Sequence, residues 1–180
     1  MAGPAVTTNT ASAVRFPRIV ETTPPGPGRL EHPGVNTADD IVDVLLVQHH
    51  TLRELSGRLA AAAVADRKRL LAELAVLVYL HTRGEQTVVH PVTRDHTGYG
   101  GYTVGTACLA QEERIGRALA ELSDLDADPI FPASFAAFRR TFLDHLADEE
   151  CDEFPRLRRR IPTQQLHSMA NDIRNVQAMR

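Results

Sequence analysis

The segment H-x3-E-x5-P occurs twice in this 180-residue chain. One copy, HTRGEQTVVHP, spans residues 81–91, and the other, HLADEECDEFP, spans residues 145–155. A spacing of four places the histidine and the glutamate of each copy about 40° apart around a helix and one turn along it. Because both copies continue apolar stripes, each pair points into a core, where an unpaired carboxylate is very costly. The fold must therefore bring the two pairs into contact with partners.

The apolar residues recur at the three- and four-residue steps of amphipathic helices. They predict long helices that begin near residue 39, span about 66–90 and 104–123, and follow Pro132, with a short helix after Pro162. Four long helices with short connections favour an all-α fold, an up-down four-helix bundle with a short C-terminal fifth helix. Each of the four inward stripes carries histidine or glutamate where leucine is expected.

The N-terminal part of the chain has a different composition. Residues 1–36 are rich in proline, glycine and threonine and are predicted to form a flexible arm, because they cannot bury enough apolar surface. Residues 37–180 are predicted to form the bundle domain, and this length suffices for one core. Within it, TRDHTGYGGYTVG, residues 93–105, is predicted to be a loop because its four glycines disfavour a helix.

Charge and composition argue against several classes of partner. A net charge of −3 and a pI near 6.2 provide no basic field for nucleic acid or an anionic membrane. No segment reaches the roughly 20 apolar residues of a membrane span, and the N-terminus lacks the apolar region of a secretory signal. Cys108 and Cys151 fit neither a CxxC motif nor a disulfide framework. We therefore predict a cytoplasmic protein with reduced thiols.

The polar residues on the four inward stripes predict a metal site. Facing helices of a bundle can hold two metal ions, with carboxylates bridging them and imidazoles as terminal ligands. A set of nitrogen and oxygen donors without thiolate suits iron or manganese better than zinc. Glu112 remains open to a second interpretation, as a surface acid with Glu113 in its place. The candidate ligands are His49, His81, Glu85, Glu112, His145 and Glu149.

Four segments resemble the haemerythrin-like HHE cation-binding domain over about residues 39–178. LLVQHHTLREL is similar to the first helix of that family, with His49 rather than His50 in the ligand register. HTRGEQTVVHP and HLADEECDEFP resemble its two HxxxE helices, and IPTQQLHSMANDIRNVQ resembles its short closing helix. The resemblance implies a four-helix bundle around a non-haem di-iron centre that meets O2, peroxide or NO.

The chain departs from the family pattern at two places. The third helix of the family normally supplies a histidine, but LAQEERIGRALAEL has none, and Glu112 or Glu113 occupies that register. His90 stands where the family usually has an aromatic residue before the proline. Ideal helix geometry turns His90 about 180° away from His81, whereas distortion near Pro91 would bring it to the site as a replacement ligand.

Two classes of function follow from this site. The first is an oxidoreductase that binds and activates O2 or peroxide and acts on a small molecule, with electrons from an external donor. In it His49, His81 and His145 are terminal ligands and Glu85 and Glu149 are bridges, and no catalytic residue is predicted beyond the metal ligands. The alternative is a carrier, scavenger or sensor of O2, NO or iron without turnover, and a bundle that binds one structural zinc is a third possibility.

Overall fold

The computed structural model of this protein describes residues 39–125 and 129–179, and all regular secondary structure in these two ranges is helical. The predicted N-terminal arm, residues 1–36, lies outside the described residues. Among the helices described, none is long and apolar enough to cross a membrane.

The described chain forms four long helical rods followed by one short helix. One π-helical segment, Glu85–Val89, joins the second α-helix to the third without a break, and a second segment, Glu149–Glu153, joins the fifth α-helix to the sixth. The α-helices are α1 (Ile41–Ala60), α2 (Val64–Gly84), α3 (His90–His96), α4 (Gly101–Ser123), α5 (Phe131–Asp148), α6 (Phe154–Arg160) and α7 (Thr163–Ala178).

Neighbouring rods form a closed ring of contacts, in which α1 packs against α2 and α5, and α4 packs against the same two helices. The short α7 lies against α1 and α2. The prediction of an all-α four-helix bundle with a short C-terminal fifth helix is therefore confirmed. The first helix, predicted to begin near residue 39, begins after Asp40, because Asp40 and Asp43 accept hydrogen bonds from each other's backbone N–H groups at 3.0 and 3.1 Å.

The second helix, predicted to end near residue 90, continues past Pro91 to His96, so the predicted end is wrong. Pro91 and Pro155 each lie at the second position of a helix that follows a π segment directly. A proline inside an ordinary α-helix loses one hydrogen bond and clashes with the carbonyl four residues back. In a π-helical turn the bonds span five residues, as they do from the His90 N–H to the Glu85 carbonyl. We infer that this wider turn accommodates the proline.

The loop predicted for residues 93–105 is much shorter in the structure. The helix α3 continues to His96, and α4 begins at Gly101. The chain reverses within the four residues between them, and Gly98 and Gly100 adopt φ values of 79° and 85° there, a region that glycine enters without steric cost.

The apolar interior consists of two separate clusters, and a polar layer lies between them along the helices. We call the smaller cluster, which contains Leu45, the small core, and the larger cluster, which contains Leu52, the large core. The buried His49 lies between these two leucines on α1. The same change occurs from Val78 in the large core to Val88 in the small core, and this segment contains the first H-x3-E pair. The histidines and glutamates therefore form a polar layer at one level of the bundle.

Two glycines allow α4 to approach α3 at this level. A Cβ atom on Gly101 would lie 2.3 Å from the carbonyl oxygen of Thr93, and one on Gly105 would lie 3.0 Å from the carbonyl oxygen of His90. Real Cβ contacts are rarely as short as the second distance and essentially never as short as the first. The start of α4 therefore contacts the backbone of α3 directly.

We expect Gly101→Ala to lower the free energy of unfolding by about 1–3 kcal/mol, because the added methyl group overpacks a rigid backbone contact. The matched control is Gly116→Ala on the same helix, where an added Cβ meets nothing within 4 Å. That change should stabilise the protein by about 0.5–1 kcal/mol through helix propensity. Urea unfolding of both variants measures the difference, and equal effects would contradict the proposed close approach.

Candidate metal centre

All six predicted ligands are buried, with exposed fractions of 0–3%, and the structure brings them together. They form two groups of four, in which one donor atom from each residue lies within 4.8 Å of the others. The first donor group is His49, His81, Glu85 and Glu149. The second donor group is Glu85, Glu112, His145 and Glu149. Glu85 and Glu149 belong to both groups, which is the arrangement expected of two carboxylates between two cations.

The four-residue spacing in each motif places histidine and glutamate side by side. His81 Nε2 lies 2.9 Å from Glu85 Oε2, and His145 Nε2 lies 3.4 Å from Glu149 Oε1. The second oxygen of Glu149 lies 3.4 Å from His49 Nε2. Glu149 therefore directs one oxygen to a histidine of each donor group.

Two glutamine side chains fix the orientation of two histidines. The Nδ1 atom of His81 lies 2.9 Å from Gln48 Oε1, and that of His145 lies 3.1 Å from Gln111 Oε1. An amide oxygen only accepts, so Nδ1 carries the hydrogen in both rings. The Nε2 lone pair of each ring therefore faces the donor groups, as a metal ligand requires.

His49 has a charged partner instead. Its Nδ1 atom lies 2.7 Å from Glu150 Oε1, and the same oxygen accepts a hydrogen bond of 2.7 Å from Arg53. Glu150 and Arg53 are partly exposed, whereas His49 is fully buried. The carboxylate–histidine pair orients Nε2 inward, as a metal ligand requires.

The inward-facing polar atoms have no hydrogen-bond partners among the described residues. They include Nε2 of His49, His81 and His145 and both carboxylate oxygens of Glu85 and Glu149. Buried polar groups without partners are costly and rare in native proteins. Facing sets of nitrogen lone pairs and carboxylate oxygens fit divalent cations, which would bind all of these atoms at once.

Burial shifts the pKa values of these groups towards their neutral forms. Burial lowers the pKa of His49 to about 2, that of His145 to about 3 and that of His81 to about 4. Burial also raises the pKa of Glu85 and Glu149 well above the usual range, and neighbouring carboxylates add to this effect. Without cations, these three imidazoles are therefore unprotonated near neutral pH, and the two shared carboxyl groups tend to retain protons.

Cation binding is therefore expected to release on the order of two protons per chain near neutral pH from the shared carboxyl groups, which must ionise to bind metal, and about one more from His90, whose pKa is raised, where His90 binds metal. The three histidines with lowered pKa contribute none, so affinity should rise with pH through the raised pKa values of Glu85 and Glu149. The measurement is anaerobic addition of Zn²⁺ or Fe²⁺ to metal-free protein in weakly buffered solution with a pH indicator. Stoichiometric binding without acidification would contradict this prediction.

The structure places His90 in the polar layer rather than on the opposite face. The π segment uses five residues for one turn, so His90 lies one turn beyond Glu85 instead of being rotated away from it. Its Nε2 atom lies 3.2 Å from Glu112 Oε1, and its Nδ1 atom lies 2.9 Å from Glu153 Oε1. Burial by itself would lower the pKa of His90, but hydrogen bonds with Glu112 and Glu153 raise it well above the usual value.

The structure also distinguishes Glu112 from Glu113. Glu112 is buried in the second donor group and accepts a hydrogen bond of 2.8 Å from Gln86. The side chain of Glu113 is 70% exposed and pairs with Arg117 on the same helix. Of the two acids at this register, only Glu112 faces the centre.

Sequence reasoning missed two buried residues of the polar layer, Glu153 and Cys108. They form a third donor group with His90 and Glu149, again with one donor atom each within 4.8 Å of the others. Burial raises the pKa of the Cys108 thiol, and the nearby Glu153 and Glu149 raise it further. A signal was present in the sequence, because Cys108 precedes Glu112 by four residues and Glu153 follows Glu149 by four.

Comparisons with known proteins agree with this geometry. The sequence profile of the "Hemerythrin HHE cation binding domain" matches residues 40–157. The crystal structure of a hemerythrin HHE cation binding domain-containing protein from Mycobacterium kansasii superposes with a TM-score of 0.68. It is 18% identical in sequence, and the match covers 77% of this chain and 85% of that one. At this identity the similarity concerns the fold. No curated protein sequence matches significantly.

Proposed function

The chain belongs to the hemerythrin HHE cation-binding domain family, and from this premise we propose that it is a non-haem di-iron protein that binds and activates O2 or peroxide. The activity proposed is that of an oxidoreductase acting on a small molecule. The observation that carries this proposal is the pair of four-residue donor groups that share Glu85 and Glu149.

The roles of the ligands follow from their positions. His49 and His81 belong to the first donor group alone, and His145 to the second alone, so we assign them as terminal ligands. Glu85 and Glu149 belong to both groups, so we assign them as bridges. Two iron ions, or manganese ions, held there would supply Lewis acidity and electrons for O2 or peroxide.

Glu112 and His90 replace the histidine that is missing from the third helix. Both are buried, and His90 Nε2 lies 3.2 Å from Glu112 Oε1. We propose Glu112 as a terminal carboxylate of the second donor group and His90 as an additional nitrogen donor beside it. Glu153, whose Oε1 lies 2.9 Å from His90 Nδ1, then orients this ring as Gln48 orients His81.

The surroundings of the centre restrict which molecules reach it. The apolar clusters on both sides of the polar layer limit access by water. One cleft of about 240 Å³ includes His81 in its wall, and another of about 240 Å³ includes Glu112. Both are smaller than the roughly 300–1,000 Å³ of typical ligand pockets, which favours O2, peroxide or a small organic substrate. The electrons would come from an external donor.

The test is metal analysis and optical spectroscopy of protein produced with iron. The proposal predicts two iron ions per chain and the absorption of an oxo-bridged pair after exposure to air. One zinc ion per chain without iron would overturn it. Turnover is supported if O2 or peroxide changes the absorption of the reduced protein, if degassing does not reverse this change, and if the change recurs each time an added donor reduces the protein again.

The burial of the centre also favours a second candidate function, a carrier, scavenger or sensor of O2, NO or iron. All six ligands are buried, and the two clefts that adjoin them are small, which suits a diatomic ligand. In that case the spectral change caused by O2 should reverse on degassing over repeated cycles, and no small-molecule substrate should be consumed.

Glu112→Ala is expected to lower the bound iron from two ions towards one per chain, because it removes one donor from the second group while leaving the first intact. The matched control is Glu113→Ala, which changes an exposed acid at the next position and should retain the iron content of the wild type. Iron analysis of the two variants after identical loading measures the difference. Equal iron contents would remove Glu112 from the set of ligands.

A further inference from the structure

The third donor group shares Glu149 and His90 with the di-iron proposal and adds Cys108 and Glu153, which that proposal does not use as ligands. It comprises His90, Cys108, Glu149 and Glu153, all of them buried. It differs from the other two groups because it contains a sulfur atom. We propose that these four residues form a third cation position, which binds a thiophilic divalent ion of the zinc class.

The sequence of α4 supports the placement of Cys108 among ligands. Cys108 and Glu112 are four residues apart and both buried. They therefore have the same spacing and inward orientation as the two H-x3-E pairs, His81 with Glu85 and His145 with Glu149. The helix α4 therefore directs a C-x3-E pair into the layer where two other rods direct H-x3-E pairs. Cys108 lies at the end of this layer that adjoins α3.

The close approach of α4 to α3 sets the position of the thiol. Gly105 lies three residues before Cys108 on the same face of α4, and an added Cβ there would lie 3.0 Å from the carbonyl oxygen of His90. The two helix backbones therefore meet beside His90. This contact brings the sulfur atom into the same group as the imidazole of His90.

Glu153 provides an independent indication of a ligand. It is fully buried, one of its oxygens lies 2.9 Å from His90 Nδ1, and the other, Oε2, has no hydrogen-bond partner among the described residues. A carboxylate oxygen buried without a partner is expensive. A cation at the third donor group would bind this oxygen.

The donor set determines which ion fits. Zinc binds cysteine sulfur, histidine nitrogen and carboxylate oxygen in four-coordinate sites, and a thiolate selects softer ions than the carboxylates and imidazoles of the first two groups do. On binding, the Cys108 thiol forms a sulfur–metal bond and releases its proton to solvent, since a coordinated thiol is deprotonated. No oxidation or reduction is involved.

Cobalt(II) is the probe, because its bond to a thiolate gives a sulfur-to-metal charge-transfer absorption in the near ultraviolet. Wild-type protein titrated with Co²⁺ should develop this absorption, and Cys108→Ser should lack it. Cys151→Ser is the matched control, since Cys151 is the other cysteine and is exposed, and it should retain the full absorption. Glu153→Gln should weaken the cobalt affinity read from this absorption by at least about tenfold.

A measurement without a mutation protects the test against misfolded variants. In wild-type protein loaded first with iron and then with one equivalent of zinc, X-ray absorption spectroscopy at the zinc edge should show one sulfur atom together with nitrogen and oxygen atoms around zinc. A shell without sulfur, no charge-transfer absorption in the wild type, or its loss in Cys151→Ser would each overturn the proposal. Iron content is measured separately, so a failure of the di-iron proposal would leave this result unchanged, and the converse also holds.

Discussion

Glu149→Gln is expected to abolish tight metal binding, with affinity falling by more than about 100-fold, because residues that only orient the ligands already contribute 10–100-fold. Glu149 is the residue common to all three donor groups. Its two oxygens face His49 and His145 from opposite groups, and an amide offers one oxygen in place of two. Iron content after loading and the thermal unfolding temperature with and without metal measure the effect.

The metal-free form of this variant should behave in the opposite way. Burial and neighbouring carboxylates raise the pKa of Glu149 well above its usual range, so the charged carboxyl group opposes folding without cations. Glutamine has the same shape and no charge, and metal-free Glu149→Gln should therefore be at least as stable as the metal-free wild type. A variant that loses both metal and folding would indicate a structural role, and one that retains two ions would refute the bridging role.

The matched control for this variant is Glu113→Gln, which has the same chemical change at an exposed position. It should retain metal binding and the stabilisation by metal. The comparison separates the loss of a bridging carboxylate from the general effect of removing one negative charge from an acidic protein.

The fold and the inward positions of the six candidate ligands could be predicted from the sequence because they depend on helical periodicity. His49, Glu85 and Glu149 continue apolar stripes, and a regular helix carries the register from leucine to ligand without accumulated error. The energetic cost of a buried carboxylate then makes convergence on partners the favoured interpretation. The stripe predicts that these residues point inward, and the ring of rods brings them together.

The position of His90 could not be predicted with ideal helix geometry. A π-helical turn adds one residue to one turn of hydrogen bonds, so every later residue is rotated relative to the prediction from a regular helix. The sequence did contain a sign of it, since a proline follows six residues after the glutamate in both motifs. A helix that continues through Pro91 and Pro155 needs a widened turn, whereas an ordinary α-helix would end there.

The same effect accounts for the wrong end of the second helix. Glu153, which lies in the second π segment, was missed although its spacing of four residues from Glu149 places it on the inward face. Cys108 was missed for another reason. A buried free cysteine in a helix usually packs as a small apolar residue, and only the structural proximity of Glu153 and His90 distinguishes it from one. Local sequence therefore predicts which residues form the inward face of a helix. The partners of a residue at the edge of that face, such as Cys108, depend on how closely two helices approach.

Removal of the metal is expected to lower the free energy of unfolding by about 4 kcal/mol relative to protein with free metal at 1,000 times the dissociation constant. For a domain of this size that corresponds to roughly 8–16 °C in the unfolding temperature. Differential scanning calorimetry with and without an added chelator measures the shift. Glu149→Gln is the control, because chelator should then change its unfolding temperature little.

The loss should be unevenly distributed along the bundle, because the polar layer separates the two apolar clusters. The large core includes the phenylalanines of α5, whereas the small core depends on short elements such as α6 and α7. Without cations, the inward-facing nitrogen and oxygen atoms of His49, His81, His145, Glu85 and Glu149 lack hydrogen-bond partners, and the layer contributes little cohesion between the clusters. Hydrogen exchange should therefore accelerate first in α6 and α7 and in the π segments, while α4 near Leu119 and α5 near Phe138 remain protected. Uniform acceleration along all helices would show that the bundle unfolds as one unit and that the metal stabilises both clusters equally.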